Sequence, residues 1–142
     1  MISHCIEGAG RVLVINLERG DLLLESIMGE LNKLGIKDAI ITSAIGSLSK
    51  VIIHRVTGFE PKPVDEYVTL EKPMELASIQ GIVLDGHPHF HIVVSDLEQT
   101  YTGHLHEGST VLYLVEITLV ELKNAGLKRV PDELGIAKLR PI

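Results

Sequence analysis

Five of the chain's seven histidines fall between positions 87 and 106, as GHPHFHIVVSD followed by TGHLHEG. In an extended strand, residues two apart project to the same side. His89 and His91 therefore share a face, and His87 joins them if the extended conformation begins before Pro88. His104 and His106 share a face of the next segment for the same reason. The two segments, His89–Ser95 and Tyr101–His106, read as a hairpin turning around Asp96–Thr100. Directly opposed residues of an antiparallel hairpin have position numbers with a constant sum. An even loop centred near Leu97–Gln99 makes that sum odd and puts His91 and His104 on one face, opposed or one diagonal step apart. An odd loop or a bulge separates them. The even case is favoured because two-residue loops are common.

The rest of the chain frames this hairpin with more strands and one helix. Arg11–Leu17 is a short apolar run, read as a first strand. Glu18-Arg19-Gly20 turns the chain, and Asp21 is placed to cap a helix over Leu22–Leu34. Leu24, Ile27, Leu31 and Leu34 fall at helical spacing and define its buried face, with Gly35 as the stop. Ala39–Ile45 is apolar and β-branched, Gly46-Ser47 breaks it, and Leu48–Thr57 resumes as a strand. The segment 58–63 holds two prolines and reads as a loop. Tyr67–Leu70 and Glu75–Leu84 read as two strands joined near Lys72-Pro73, and Asp85-Gly86 is a turn signal. Thr110–Leu122 is a long apolar strand, expected to be buried on both faces. The tail from Lys123, with Pro131 and Pro141, is expected to hold one short helical turn. The expectation is one α+β domain over residues 1–142, a mostly antiparallel sheet packed by one main helix over about residues 21–35.

Composition narrows the function classes. The 142 residues are 45% hydrophobic and 23% charged, a globular balance. Net charge is -6, from 13 Lys+Arg against 19 Asp+Glu, with no basic run to neutralise phosphates. DNA binding by this domain alone is disfavoured. Cys5 is the only cysteine, so neither an intrachain disulfide nor a multi-cysteine metal site can form. The start Met1-Ile2-Ser3-His4-Cys5 lacks the basic and apolar segments of a signal peptide. Apolar stretches reach about ten residues, short of a bilayer span. The expected location is the cytoplasm, with no membrane partner.

His-x-His on one strand plus a histidine from its neighbour aims three neutral imidazoles at one point. Zinc uses three protein ligands when it leaves a position open for water or substrate, and imidazole also suits nickel, copper or iron. Glu107, Glu116 and His106 are available as a fourth ligand or as partners behind the ligands. His4 and His54 are isolated in sequence and read as incidental.

The sequence resembles the PPC domain (plants and prokaryotes conserved domain) along almost its whole length. The resemblance rests on Glu18-Arg19-Gly20-Asp21 opening a helix and on Ala44-Ile45-Gly46-Ser47 after a strand. It continues with Leu76–Gly81, His89-x-His91, Ser95-Asp96, Gly103-His104-Leu105, Glu107-Gly108 and Glu116. It implies an antiparallel sheet with a packed helix, a homotrimer, and His89, His91 and His104 as metal ligands. The fold is also similar to that of acetolactate decarboxylase, an enzyme with a three-histidine zinc site. The chain departs from the family pattern at Thr102, where a second glycine is common, and in the additional histidines His87 and His106. Plant members bind DNA through an Arg-Gly-Arg-Pro segment outside the domain. Here Arg19-Gly20 is followed by Asp21.

These readings give three function classes. The first is a trimeric zinc-binding domain of undefined biochemical role, with a small-molecule ligand at the metal. The second is a metal-dependent, lyase-like enzyme acting on a small carboxylate or carbonyl compound, with Glu107, Glu116 and Arg19 as catalytic candidates and Arg19 as substrate anchor. The third is a DNA-associated protein working through partners.

Overall fold

Three buried leucine and isoleucine positions, spaced by four, organise the only helix of the described residues. The computed structural model describes Met1 and residues 3–142. Its elements are β1 (Ala9–Glu18), α1 (Leu23–Lys33), β2 (Ala39–Val56), β3 (Asp65–Leu84) and β4 (His87–Ser95). They continue as β5 (Thr100–Leu105), β6 (Thr110–Leu122), β7 (Leu127–Pro131) and β8 (Ala137–Pro141). Leu23, Ile27 and Leu31 are fully buried in one cluster with Ile15, Val115, Ile117 and Leu119 of the sheet. Each such side chain contributes about 1.5–3 kcal/mol by burial.

The helical face is turned slightly from the one the sequence suggests. Leu23 is buried, Leu24 only partly so, and Leu34 is 38% exposed. The start explains the shift. Leu22 is the N-cap and makes no side-chain cap bond. Asp21 instead accepts the Glu18 N–H at 2.8 Å and closes the preceding turn. The Leu23 N–H donates to the Ser109 carbonyl at 2.8 Å, which ties the helix start to the segment following the histidine hairpin. The stop is the expected one. Gly35 takes φ +68, its N–H donates to Asn32 and that of Ile36 to Leu31.

One six-stranded antiparallel sheet runs β1-β6-β2-β3-β4-β5, and β5 returns to pair with β2 through Ile53↔Leu105 and His54↔His104. That return closes β2, β3, β4 and β5 on themselves. Neither expected break interrupts the long strands. At Gly46, with φ +149, an added Cβ would lie 2.2 Å from the Leu114 carbonyl oxygen, so glycine serves close approach of β6 to β2. Pro73 stays inside β3 because the pairing slips between Leu48 and Lys50, a bulge that absorbs it.

Asp85 (φ 50) and Gly86 (φ 76) form the two-residue turn between β3 and β4, both in the left-handed region that such hairpins use. β6 is not buried on both faces. Val111, Val115, Ile117 and Leu119 point inward, whereas Tyr113, Leu114 and Glu116 are exposed. The tail forms no helical turn. It is a β7–β8 hairpin with Pro131 and Pro141 at strand ends, where no ladder donor is required of them. Asp132 holds its turn by accepting the N–H groups of Leu134 (3.0 Å) and Ile136 (2.9 Å). Among the described residues no helix is long and apolar enough to cross a membrane.

Candidate metal centre

The loop between β4 and β5 is Asp96–Gln99, four residues long, and its even parity decides the site. His91 stands directly opposite His104. The hairpin is pinned at its turn. Asp96 Oδ1 accepts the N–H groups of Glu98 and Gln99, each at 2.8 Å, while Oδ2 pairs with Lys72. The Lys72 ammonium, followed by the two backbone donors, holds the Asp96 carboxyl well below the usual carboxylate range.

Register then builds a row across four strands. Gln80 of β3 pairs with His91 of β4, His91 with His104 of β5, His104 with His54 of β2, and His54 with Tyr67 near the start of β3. His89 sits two residues before His91 on the same side. The ring centroids of His89, His91 and His104 are 5.1–5.5 Å apart, and one donor nitrogen from each lies within 4.8 Å of the others.

Ligation requires lone pairs, so the rings must be neutral. Burial, followed by the surrounding histidines, holds His104 down to about 4. Burial and then the Arg129 charge lower His89. Zn–N bonds of about 2.0–2.1 Å place donor nitrogens about 3.3 Å apart on a tetrahedral ion. The triad's donors lie within 4.8 Å of one another, at most about 1.5 Å beyond that spacing, and three ligands leave the fourth tetrahedral position free. The residues fit the group.

The remaining histidines divide. His87 opens β4, and its carbonyl accepts from Arg129 Nη1 at 3.1 Å. Among the described residues its ring makes no stacking contact with the cluster. His106 joins it, with its ring 5.2 Å from that of His104. His54 is not incidental: its ring stacks on His104 at 4.6 Å and 12°, and its Nδ1 lies 2.6 Å from His106 Nε2. Fifty residues of sequence hide this proximity, which only the β2–β5 closure creates. A signal was available in the strand pattern of Leu48–Thr57, but the pairing partner was not.

A cavity of about 330 Å³ borders the cluster, lined by His104, His106, Glu107, Tyr67, Phe90 and Leu24. Of the three catalytic candidates, Glu107 lies here. Glu116 faces outward from β6 between Asn16 and Ile45, and Arg19 lies over the Tyr113 ring at 5.9 Å. No described contact joins either to a histidine. The cation beside the triad is Arg129, on β7, which sequence reasoning did not single out. It is half-buried, and among the described residues no carboxylate pairs with it.

Solved structures share this architecture. A plant- and prokaryote-conserved (PPC) protein from Pyrococcus horikoshii is 31% identical, with a TM-score of 0.83, and the match covers 100% of this chain and 99% of that one. A metal-containing protein from Archaeoglobus fulgidus is 26% identical, with a TM-score of 0.82 and 99% of each chain covered. A hypothetical protein from Salmonella enterica shares the fold at 23% identity, with a TM-score of 0.79 and 96% of each chain covered. No curated protein matches the chain. The family model of the Plants and Prokaryotes Conserved (PCC) domain matches residues 6–123, and the chain belongs to that family.

Proposed function

We propose that this protein is a metal-binding domain that holds one divalent transition-metal ion, zinc by its ligand chemistry, on His89, His91 and His104. The observation that carries the reading is the convergence of three imidazole donors within 4.8 Å of one another. Burial, followed by neighbouring charge, lowers the pKa of His104 and of His89, which favours their ligating form. The metal-containing Archaeoglobus relative, at 26% identity over 99% of each chain, supports it. Elemental analysis of protein purified without a polyhistidine tag tests it. Near-stoichiometric metal, lost in His91→Ala, is expected. Untagged protein that is repeatedly metal-free, with no affinity for added zinc, overturns the reading.

The working form we propose is a homotrimer in the cytoplasm. On the outer sheet face Ile45 (51%) of β2 and Leu114 (45%) of β6 are exposed diagonal neighbours, and Val14 (70%) of β1 is exposed further along, beyond Asn16 and Glu116. Exposed apolar side chains grouped on one sheet face in this way favour protein–protein contact. The net charge of -6 argues against the domain holding DNA by itself. A mobility-shift titration at near-physiological salt is expected to give no tight complex with random duplex, which leaves only association through partners.

A second reading, a metal-dependent enzyme acting on a small carboxylate or carbonyl compound, is favoured by one specific observation. The Arg129 guanidinium, which has no carboxylate partner among the described residues, donates to the His87 carbonyl two residues before His89, and the cavity reaches the triad at His104. A bound metal supplies Lewis acidity there. Arg129 would hold the substrate's anionic group, and Glu107, on the cavity wall, is the nearest candidate to move a proton. Oxalate binding to zinc-loaded protein, weakened about tenfold or more in Arg129→Met with metal content unchanged, is the expected outcome. Equal binding by the two proteins would remove this reading.

A further inference from the structure

Two imidazoles that the triad does not use face each other beside it. His54 Nδ1 and His106 Nε2 are 2.6 Å apart, and both rings contact His104, at 4.6 and 5.2 Å between centroids. Backbone pairing sets this arrangement. His54 stands opposite His104 in the β2–β5 ladder, and the His106 N–H donates to the Ile52 carbonyl at 2.9 Å. The two nitrogens therefore converge because the strands do.

What stands behind the pair matters as much. Asp65 Oδ2 lies 4.0 Å from His54 Nε2, on the far side of the ring from His106. At 4.0 Å the carboxylate is an electrostatic neighbour and not a hydrogen-bond partner, and its charge favours hydrogen on Nε2, with the Nδ1 lone pair then directed at His106. Metal-binding histidines recurrently donate their second ring N–H to a carboxylate, and an approach of about an ångström would bring Asp65 into that role. On the open side, Tyr67 packs against both rings, at 5.4 and 5.0 Å, and His106 and Glu107 line the 330 Å³ cavity.

We propose that His54 Nδ1 and His106 Nε2 hold a second divalent transition-metal ion next to the triad, with its remaining coordination positions open to the cavity. The proposal extends the metal reading given above but uses none of its three ligands. Two ligands of one tetrahedral ion sit about 3.3 Å apart, so the pair must open by less than an ångström, with the shared hydrogen moving to His106 Nδ1 as the metal takes its place. His104 stacks flat on His54, so one ring of each site stands against one ring of the other, and the two ions border one cavity. Such a pair of ions suits a small anion that can reach both, a carboxylate or phosphate, rather than a neutral ligand.

Equilibrium dialysis of untagged protein against zinc chloride alone, with elemental analysis, tests the idea. Two ions per chain are expected in the wild type. One is expected in His54→Ala, one in His106→Ala, and one in His91→Ala, where the triad site is lost and the pair persists. Asp65→Asn is expected to weaken the second ion about 10–100-fold and leave the first unchanged. Since His54 is half-buried, His54→Asn, checked by circular dichroism, gives a second route to the same count. One ion in the wild type, still bound in His54→Ala and His106→Ala with unchanged affinity, overturns the second site and leaves the triad reading standing. Two ions retained in His106→Ala also overturns it. No zinc in the wild type overturns both.

Discussion

Gly81→Ala should disturb both the fold and the metal centre, although position 81 carries no chemistry. Gly81 lies in β3 opposite Phe90, next to the Ile82↔His89 pair. Its φ is +141, and a Cβ built there would sit 2.0 Å from the His89 carbonyl oxygen and 3.0 Å from Phe90 Cα. The first distance is more than an ångström inside van der Waals contact. The neighbour is backbone, so no rotamer change relieves it.

Two terms add. An L side chain at such a φ costs of order 1–3 kcal/mol, and overpacking against a fixed neighbour costs typically another 1–3 kcal/mol. A loss of about 2–6 kcal/mol follows, a fall in Tm of about 7–20 °C for a domain of this size. Relief must come from β4 moving away at His89, so zinc affinity should fall about 10–100-fold, the range seen when the support of a ligand is disturbed. Urea unfolding at fixed chain concentration measures the first effect and zinc titration the second. Gly86→Ala is the control: it shares a positive φ of +76 but meets nothing within 4 Å, so it should lose only the left-handed cost of about 1–2 kcal/mol and no affinity. If Gly81→Ala unfolds within about 0.5 kcal/mol of the wild type, or matches Gly86→Ala in zinc affinity, the close approach of β3 to His89 is not what holds the ligand.

Other outcomes follow from the same geometry. Zinc at 100 times its Kd should raise the unfolding free energy by about 2.7 kcal/mol, while chelation should leave the far-ultraviolet circular dichroism unchanged, because the core cluster contains none of the histidines; collapse on chelation would refute this. Leu114→Lys, on the exposed face of β6, should shift the protein to monomer in sedimentation velocity without altering its fold, and a persistent trimer would place the interface elsewhere. Asp96 has a carboxyl held below its ordinary value in the folded state, so it contributes stability above pH about 4 that is lost as pH falls further. The stability gap between wild type and Asp96→Asn, measured by urea unfolding, should therefore narrow from pH about 5 to about 2; a constant gap would show that the Lys72 contact is not the cause.

The sequence pattern revealed elements better than their continuity. Alternation located β4 and β5, and loop parity put His91 and His104 on one face; a four-residue loop gives the same result as a two-residue one because only evenness matters. It misplaced breaks at Gly46 and Pro73, since a glycine or proline in a strand can mean a bulge or a close approach as readily as an end. β6 read as buried throughout because its outer face carries Leu112, Leu114, Val120 and Leu122 beside Glu116 and Thr118, and only exposure tells the two faces apart. The β7–β8 hairpin was hidden by strands of five residues, too short for a period to emerge. Arg129 was missed with it, as nothing local relates that arginine to His89.

The His54 omission has a deeper cause, and Gly103 exposes it. A Cβ at Gly103 would meet the His54 carbonyl oxygen at 2.6 Å and Ile53 Cβ at 3.1 Å. Bare backbone at this position is what lets β5 lie against β2, and the next residue along β5 is His104. The glycine before His104 thus does for β5 what Gly81 does for β4: each permits a backbone approach that fixes where a histidine stands. The site is a property of strand closure more than of the histidine motif, since the motif sets which side the rings face and the glycines set how near they come. A Gly103→Val change should therefore separate His54 from His104 and His106 while leaving the His89–His91 pair on β4 intact. Loss of the His54-dependent zinc ion with less effect on the triad would follow, and simultaneous, equal loss of all metal would show that the two halves of the cluster are not held by separate approaches.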